Sequence, residues 1–303
     1  MKRIKAKFIE EVCYNLMVHA SIELPPEVES AIRAAHKRET NPRAQQYFAA
    51  MLENIDVARR KRVPLCQDTG IPMYYVTLGS NVTIEGEFRK ALEAATSRAT
   101  RDVPLRQQVS HPLTREISAT NVGWGIPPIF LDYKDGQDSI DIIAVPRGGG
   151  AEAKWQCVHP YPAVDRKKAI LKIVLDAVTM AGGESCTPNI IGVAVGGYGR
   201  DYTELMARKA MYRTPLNSRH TDPEVAELED MLYKAVNQMN IGPLGIGGDT
   251  TCLAVHMDIA GGHTAGASVA VSFYCWSARY SKARILGDNV VEYLTHPELN
   301  QKS

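Results

Sequence analysis

Short β-branched segments that alternate with glycine-rich turns and helices constrain the fold of this chain more than any other feature, and they begin after Arg62. Apolar runs that are too short for helices and are bounded by turn residues are typical of buried strands. Helical segments between such strands indicate a layered α/β protein. The pattern predicts strands over residues 73–78, 129–133, 140–145, 190–195, 253–257 and 268–273. It predicts helices over residues 87–97, 163–180, 202–212 and 223–238. The Asp135-Gly136 pair between two predicted strands predicts a hairpin.

The segment before Arg62 has a purely helical pattern. Apolar residues of its first helix recur every four positions, at Ile4, Phe8, Val12 and Leu16. Pro26 and Pro42 each follow a break in this pattern, as expected at the start of two further helices. We therefore predict a helical N-terminal part, residues 1–62, packed on a mixed-sheet α/β body, residues 63–303.

Charge and composition exclude several classes of protein. The chain has 35 basic and 34 acidic side chains, which nearly cancel. No basic stripe with interleaved aromatic residues is present, so nucleic acid is not an expected partner. The basic N-terminus lacks the apolar core of a secretory signal, and no run reaches the roughly 18 apolar residues of a membrane helix. We expect a cytoplasmic protein without membrane attachment, in which cysteines stay reduced.

Three of the six cysteines share a context that the others lack. Cys66 lies directly before a predicted strand, Cys186 lies between a helix and a strand, and Cys275 follows a strand. At such element ends, neighbouring glycine and proline allow the backbone to bend closely around an inorganic group. Three converging thiolates would suit zinc or an iron–sulfur cluster. Compact C-x-x-C pairs are absent, so spacing alone leaves open whether the three thiols meet.

The other cysteines and charged residues have simpler interpretations. Cys13 and Cys252 lie on apolar faces and are predicted to be core residues. Cys157 follows a glycine-rich segment, and a place near the site stays open for it. Taken alone, Arg106 and Arg147 are more typical of surface charges, and the segment 68–70 is typical of an ordinary turn.

Four motifs agree in order and spacing with one known family. They are PLCQDTG at residues 64–70, GGESCTPNIIGVAVGG at 182–197, NIGPLGIGGDTTCLAVHM at 240–257, and GHTAGASVAV followed by Cys-Trp at 262–276. Over residues 1–290 the chain resembles the α subunit of class I fumarases and L(+)-tartrate dehydratases. The resemblance implies an α/β fold of that type and an enzyme that adds or removes water from a dicarboxylate.

The resemblance also implies the site residues. In that family three cysteines hold a [4Fe–4S] cluster with one iron open to substrate, and they correspond here to Cys66, Cys186 and Cys275. The positions that match substrate-binding residues are Gln67, Arg106 and Gly149. The positions that match catalytic residues are Asp68 and His263. These types suit the chemistry, because a guanidinium can hold a carboxylate through two hydrogen bonds and a positioned carboxyl or imidazole can move a proton.

Two departures from the family pattern leave the substrate open. The second ligand is followed there by two prolines, whereas here Cys186 is followed by Thr187 and then Pro188. The arginine-rich run after the third ligand reads here as Ala278-Arg279-Tyr280. Neither departure removes a ligand. The expected reaction is therefore reversible dehydration of a 2-hydroxydicarboxylate, either malate to fumarate or L-tartrate to oxaloacetate.

The resemblance further implies a partner, since a separate β subunit completes the site in two-subunit members of the family. We expect an α2β2 assembly and an inactive isolated chain. Two alternatives belong to other classes of protein. One is a zinc site that uses the same cysteines, and the other is a non-catalytic subunit whose cluster senses oxygen or iron.

Overall fold

The computed structural model describes residues 2–159, 165–287 and 289–301, and it confirms an α/β protein with mixed sheets and a helical N-terminal region. The helices are α1 (Ala6–Ile22), α2 (Pro26–Arg38), α3 (Pro42–Lys61), α4 (Phe88–Asp102), α5 (Gly149–Glu152), α6 (Arg166–Ala181), α7 (Arg200–Ala210) and α8 (Pro223–Gln238). The strands are β1 (Lys2–Lys5), β2 (Ile71–Gly79), β3 (Val82–Glu85), β4 (Ile129–Lys134), β5 (Ile140–Arg147), β6 (Gln156–Val158), β7 (Asn189–Val195), β8 (Cys252–Ile259), β9 (Val269–Tyr274), β10 (Ser281–Gly287) and β11 (Val290–Tyr293). Short 3₁₀ turns cover Gly182–Ser185, Pro243–Gly245 and Pro297–Gln301.

The chain forms two compact units, each built from separate stretches of sequence. The first unit comprises Met1–Pro26, Asn54–Gly148 and Arg279–Ser303. The second unit comprises Glu27–Glu53 and Gly149–Ala278. Both units take part of the N-terminal helical region, and the division at residue 62 stays a prediction.

The first unit is built on a five-stranded sheet in the order β11-β10-β5-β2-β4. Strand β2 lies between β5, with which it is antiparallel, and β4, with which it is parallel. Helices α1 and α4 pack together beside this sheet, around a core that includes Leu16, Tyr74, Leu92 and Ile142. Because β2 separates β4 from β5, the hairpin predicted at Asp135-Gly136 is wrong. Those residues instead form a turn that carries the chain across β2.

The second unit is built on a four-stranded sheet in the order β6-β9-β7-β8. Strand β7 is parallel to β8 and antiparallel to β9. Helices α6 and α8 contribute to a core with the sheet, and α7 packs against β7 where Gly192 has no side chain. A Cβ on Gly192 would lie 1.9 Å from the Ala207 carbonyl oxygen, so only glycine allows this approach.

The strand register of the second unit defines two ends of its sheet. Val195, Ile259 and Val269 lie together at one end, which we call the Val195 end. The Asn189 end is opposite and is formed by Asn189, Cys252 and Tyr274. Strand β7 spans seven residues from end to end. The six steps between its first and last residue correspond to roughly 20 Å at about 3.3 Å per residue.

All six strands and all four helices predicted after Arg62 are present, with boundaries shifted by a few residues. The predicted start of α6 at Ala163 lies outside the described residues. The pattern did not predict β1, β3, β6, β10 or β11, most of which are short. Within the described parts of the chain, no helix has both the length and the apolar character that crossing a bilayer requires.

Candidate active site

Cys66 lies in a segment of the first unit that is fixed by two hydrogen bonds of the preceding residue, Leu65. The backbone amide of Leu65 donates a hydrogen bond to the Ser21 carbonyl at 3.0 Å. The Leu65 carbonyl accepts one from Asn54 Nδ2 at 2.8 Å. The side chain of Leu65 is buried, whereas Cys66 is half-buried. The thiol therefore has a defined position just before β2 and stays accessible to a ligand.

Asp68 closes the turn that follows Cys66. Its Oδ1 accepts a hydrogen bond from the Gly70 amide at 3.1 Å. Gly70 has φ +84, and a Cβ there would lie 2.5 Å from the Pro146 carbonyl carbon, so the turn requires glycine. The turn predicted from this segment is thus confirmed. On its other side the carboxylate lies next to Gly148, where a Cβ would be 3.2 Å from Asp68 Oδ2.

Three arginines contact or flank this turn. Arg106 is exposed, and its Nη1 donates to the Gln67 carbonyl at 3.3 Å. Arg279 is only 2% exposed, and its Nη2 donates to the Asp68 carbonyl. Arg147 pairs with Ile71 in the sheet and is also 2% exposed, so the surface interpretation is wrong for Arg147. This concentration of guanidinium groups favours an anionic ligand with carboxylate groups.

Burial of Arg147 and Arg279 could not be deduced from the sequence. The resemblance drew attention to Arg106 alone, because its motif matches. The only signal for Arg279 was its place shortly after Cys275, in a run that is arginine-rich in the family. For Arg147 the signal was a charge inside an apolar strand that ends in three glycines.

Cys186 and Cys275 come together in the second unit at the Asn189 end. The Trp276 amide donates to the Cys186 carbonyl at 2.8 Å, which joins the two segments directly. Cys186 has φ +56 and follows the 3₁₀ turn that begins at Gly182. Cys275 Sγ lies 3.2 Å from Ser277 Oγ. Both thiols are half-buried, as Cys66 is.

Glycines leave space beside the Cys186 thiol. A Cβ on Gly150 would lie 3.9 Å from Cys186 Sγ and 3.2 Å from the Glu184 carbonyl oxygen. Gly149 is the first residue of α5 and directly precedes this contact. Lys154 forms an ion pair with Glu184 nearby and holds the pKa of that carboxyl below its usual range. The predicted substrate-contacting residue Gly149 thus lies in the segment that approaches Cys186.

A second turn, Pro243–Gly245, packs against the Cys186 segment. The Leu244 amide donates to the Thr187 carbonyl at 3.0 Å, and Thr187 Oγ1 donates to the Gly242 carbonyl at 2.5 Å. Gly183 packs directly on Gly245, and a Cβ on Gly183 would lie 2.6 Å from the Gly245 Cα. The position of Cys186 therefore depends on direct contact between the backbones of Gly183 and Gly245.

Gly183→Ala is expected to lower the free energy of unfolding by about 1–3 kcal/mol and to make the Cys186 thiol more reactive, because the two turns must separate. Urea unfolding and the rate of alkylation by a maleimide measure the two effects. Gly261→Ala is the matched control, since a Cβ there meets nothing within 4 Å. Equal behaviour of the two variants would contradict the proposed support of Cys186.

His263 lies at the Val195 end of the second unit, between β8 and β9. It is exposed, its Nδ1 accepts a hydrogen bond from the Ala265 amide at 3.0 Å, and its ring centroid lies 5.7 Å from that of Tyr198. It lines a cavity of about 520 Å³ together with Arg166 and Ile259. The length of the sheet separates it from Cys186 and Cys275 of the same chain. Its catalytic role accordingly stays a prediction.

The remaining cysteines are placed away from the Asn189 end or inside the core. Cys13 and Cys252 are fully buried, which confirms the core prediction, and burial raises the pKa of both thiols. Cys157 lies on β6 and packs against Ala194 and Ala270. Burial also raises the pKa of the Cys157 thiol. Cys13 and Cys252 therefore lack the accessibility of Cys66, Cys186 and Cys275, whereas Cys157 is half-buried as they are but lies inside a strand and not at an element end.

Comparison with known proteins identifies the family. The sequence profile of the fumarate hydratase (Fumerase) family matches residues 10–284. The chain belongs to this family. A relative from Methanocaldococcus jannaschii, named "Putative L(+)-tartrate dehydratase subunit alpha", is 37% identical over 281 residues, which cover 91% of this chain and 97% of the relative. The L(+)-tartrate dehydratase subunit alpha of Escherichia coli K12 is 28% identical over 288 residues, which cover 95% of this chain and 94% of the relative.

Family membership makes the chain a hydro-lyase of the fumarate hydratase or L(+)-tartrate dehydratase type. The relatives are named as alpha subunits, which implies that they function with a second kind of subunit. The recognition made from the four motifs is therefore confirmed.

Proposed function

We propose that this chain is the α subunit of an iron–sulfur hydro-lyase that reversibly dehydrates a 2-hydroxydicarboxylate, either malate or L-tartrate. The observation that carries the proposal is the difference between the cysteines. Three half-buried thiols lie at element ends beside arginine-rich or glycine-rich segments, whereas Cys13 and Cys252 are buried and the half-buried Cys157 lies inside strand β6. The cytoplasm, where thiols stay reduced, is the proposed location.

The residues fit a cluster with three protein ligands. Thiolates are the soft ligands that iron–sulfur clusters require. Gly150 leaves open the space beside the Cys186 thiol that a Cβ would occupy. A [4Fe–4S] cluster held by Cys66, Cys186 and Cys275 would supply one open iron as a Lewis acid for the departing hydroxyl.

The chain's own residues bind and orient the substrate. Arg106 presents an exposed guanidinium beside Gln67 and is suited to hold one carboxylate of the substrate by two hydrogen bonds. The Gln67 side chain, also exposed, adds an amide that selects for a polar substituent. Gly149 contributes a backbone contact. Such fixed orientation of both carboxylates lowers the entropic part of the barrier.

Asp68 is the proposed proton-transfer residue of this chain. The Gly70 amide donates to its Oδ1 and Arg279 donates to its main-chain carbonyl, so the carboxyl has one orientation. Dehydration breaks the C–O bond at one substrate carbon and removes a proton from the neighbouring carbon. We assign to Asp68 the proton that joins the departing hydroxide, which leaves as water. The β subunit is proposed to supply the base that takes the carbon-bound proton.

Purification without oxygen tests this proposal. The chain is expected to contain close to four irons and four sulfides, as a [4Fe–4S] cluster requires, and to lose its brown colour in air. Co-expression with a β subunit is expected to give dehydration of malate or L-tartrate, whereas the isolated chain is expected to give none. A colourless, zinc-loaded protein would contradict the cluster. If the αβ complex holds a full cluster and Arg106→Ala leaves its activity unchanged, a sensing role is favoured. Turnover by the isolated chain would contradict the need for a β subunit.

A further inference from the structure

Two histidines and two glutamates of the first unit meet outside the residues assigned above. We call this group the His–Glu cluster, and its members are His19, Glu23, His296 and Glu298. One ligand atom of each residue lies within 4.8 Å of those of the other three. We propose that the His–Glu cluster binds a divalent transition-metal ion, with Zn²⁺ as the best match.

The secondary structure places the four side chains in two pairs. His19 lies in the last turn of α1 and Glu23 follows the helix, so the i, i+4 spacing puts both on one face. His19 Nδ1 is 3.8 Å from Glu23 Oε1. His296 directly precedes the 3₁₀ turn that contains Glu298, and its Nδ1 is 3.4 Å from Glu298 Oε1. The two imidazole centroids are 5.2 Å apart and the rings are inclined by 40°, so both pairs face one point.

Other contacts hold the two pairs together, so the site does not depend on the ion for its assembly. Asn15 Nδ2 on α1 donates to Tyr293 Oη at 3.0 Å. The Tyr293 amide donates to Asn300 Oδ1 at 2.8 Å, and Asn300 Nδ2 donates back to the Tyr293 carbonyl at 3.2 Å. The Leu299 amide donates to the His296 carbonyl at 3.0 Å. Such preorganisation lowers the free-energy cost of binding.

The environment of His296 favours a ligand. The residue is 1% exposed, and within the described parts of the chain its Nε2 has no hydrogen-bond partner. A buried nitrogen in this state costs free energy that a bound ion or water would recover.

The donor set favours zinc over magnesium or calcium. Imidazole and carboxylate together are typical zinc ligands, whereas magnesium and calcium prefer oxygen alone. At about 2.0–2.1 Å from a tetrahedral ion, neighbouring ligand atoms lie roughly 3.3–3.4 Å apart. The present separations of up to 4.8 Å therefore require a contraction of up to about 1.5 Å. Glu298, with half of its side chain exposed, has the freedom to make it.

The charges near the His–Glu cluster are compatible with a cation. The two carboxylates of the cluster carry the charge that balances a divalent ion. Arg59 is the cation that faces the cluster, with its Nε 3.9 Å from Glu23 Oε2. The other oxygen of Glu23, Oε1, lies 3.8 Å from His19 Nδ1 on the side of the cluster. Asp56 also lies 3.9 Å from Arg59 and offsets its charge.

Zinc titration of the purified full-length chain, stripped of metal by a chelator, tests the site. Cys66, Cys186 and Cys275 are first replaced together by serine, because thiols also bind zinc. This variant is expected to bind one Zn²⁺ per chain in equilibrium dialysis and to gain thermal stability on binding. Failure to bind zinc by a variant whose circular dichroism shows a native fold would overturn the proposal.

Glu298→Gln supplies the residue-level test in the same triple-serine background. It is expected to weaken zinc affinity by roughly tenfold or more, because one charged ligand is lost. Its side chain is 52% exposed, so the substitution leaves the fold intact. Glu292→Gln on β11 is the matched control, since it removes an exposed carboxylate outside the cluster. His296→Gln is expected to act as Glu298→Gln does, and equal zinc affinity in all three variants would place the ion elsewhere.

Discussion

Cys186→Ser is expected to abolish cluster binding and to lower hydro-lyase activity of the complex with its β subunit by roughly a thousandfold or more. Serine oxygen is a hard donor that does not replace a thiolate on iron. Loss of the Lewis acid removes several kcal/mol of transition-state stabilisation, which corresponds to a factor of this size. Iron and sulfide analysis of protein purified without oxygen, followed by a dehydration assay, measures both effects. The same results are expected for Cys66→Ser and Cys275→Ser.

Cys157→Ser is the matched control, because it makes the same chemical change on β6. Its half-buried side chain packs against Ala194 and Ala270 in the second unit, not beside the Asn189 end. Iron content and activity are expected to stay near those of the unchanged chain. A full cluster in Cys186→Ser would show that Cys186 is not a ligand. Loss of the cluster in Cys157→Ser with an unchanged fold would show that the ligand set is incomplete.

The sequence predicted the central strands well because their burial is local in origin. Residues 73–76 and 190–194 are buried on both faces, so each forms an uninterrupted apolar run. Strand pairing is different, because it depends on residues far apart in sequence. Asp135-Gly136 has the composition of a hairpin turn, yet β2 occupies the place between β4 and β5. Turn composition alone therefore could not give the strand order.

The candidate site shows the same division between local and distant information. The motif around Cys66 predicted a turn. Asp68 and Gly70 form one, because the side-chain hydrogen bond and the glycine backbone conformation that make the turn both act within three residues. Burial of Arg279 depends on the fold, since its partner Asp68 is distant in sequence. The place of His263 depends on the direction of β9, which runs from the Val195 end to the Asn189 end within the twelve residues before Cys275. Closeness in sequence was therefore a poor guide to closeness in space.

Glu229→Ala is expected to lower the free energy of unfolding by about 3–5 kcal/mol, because it breaks a buried ion pair and leaves the Met257 and His220 amides without their carboxylate acceptor. Glu229 on α8 is fully buried. Its Oε1 accepts hydrogen bonds from Arg213 Nη1 and from the Met257 amide, both at 2.6 Å. Its Oε2 accepts one from the His220 amide at 2.8 Å. One carboxylate thus joins α8 to β8 and to the loop before α8.

Glu227→Ala separates this effect from simple loss of a carboxylate on α8. Glu227 is 64% exposed and lies 3.4 Å from Lys167, itself 48% exposed, so its removal is expected to cost less than about 1 kcal/mol. Urea unfolding followed by circular dichroism measures both variants. Similar losses in the two would mean that the buried carboxylate contributes no more than a surface pair. A large loss in Glu229→Ala that Arg213→Met partly restores in the double variant would instead identify the mostly buried charge of Arg213, left without Glu229, as the main cost. Removing one partner of a buried pair is more harmful than replacing both.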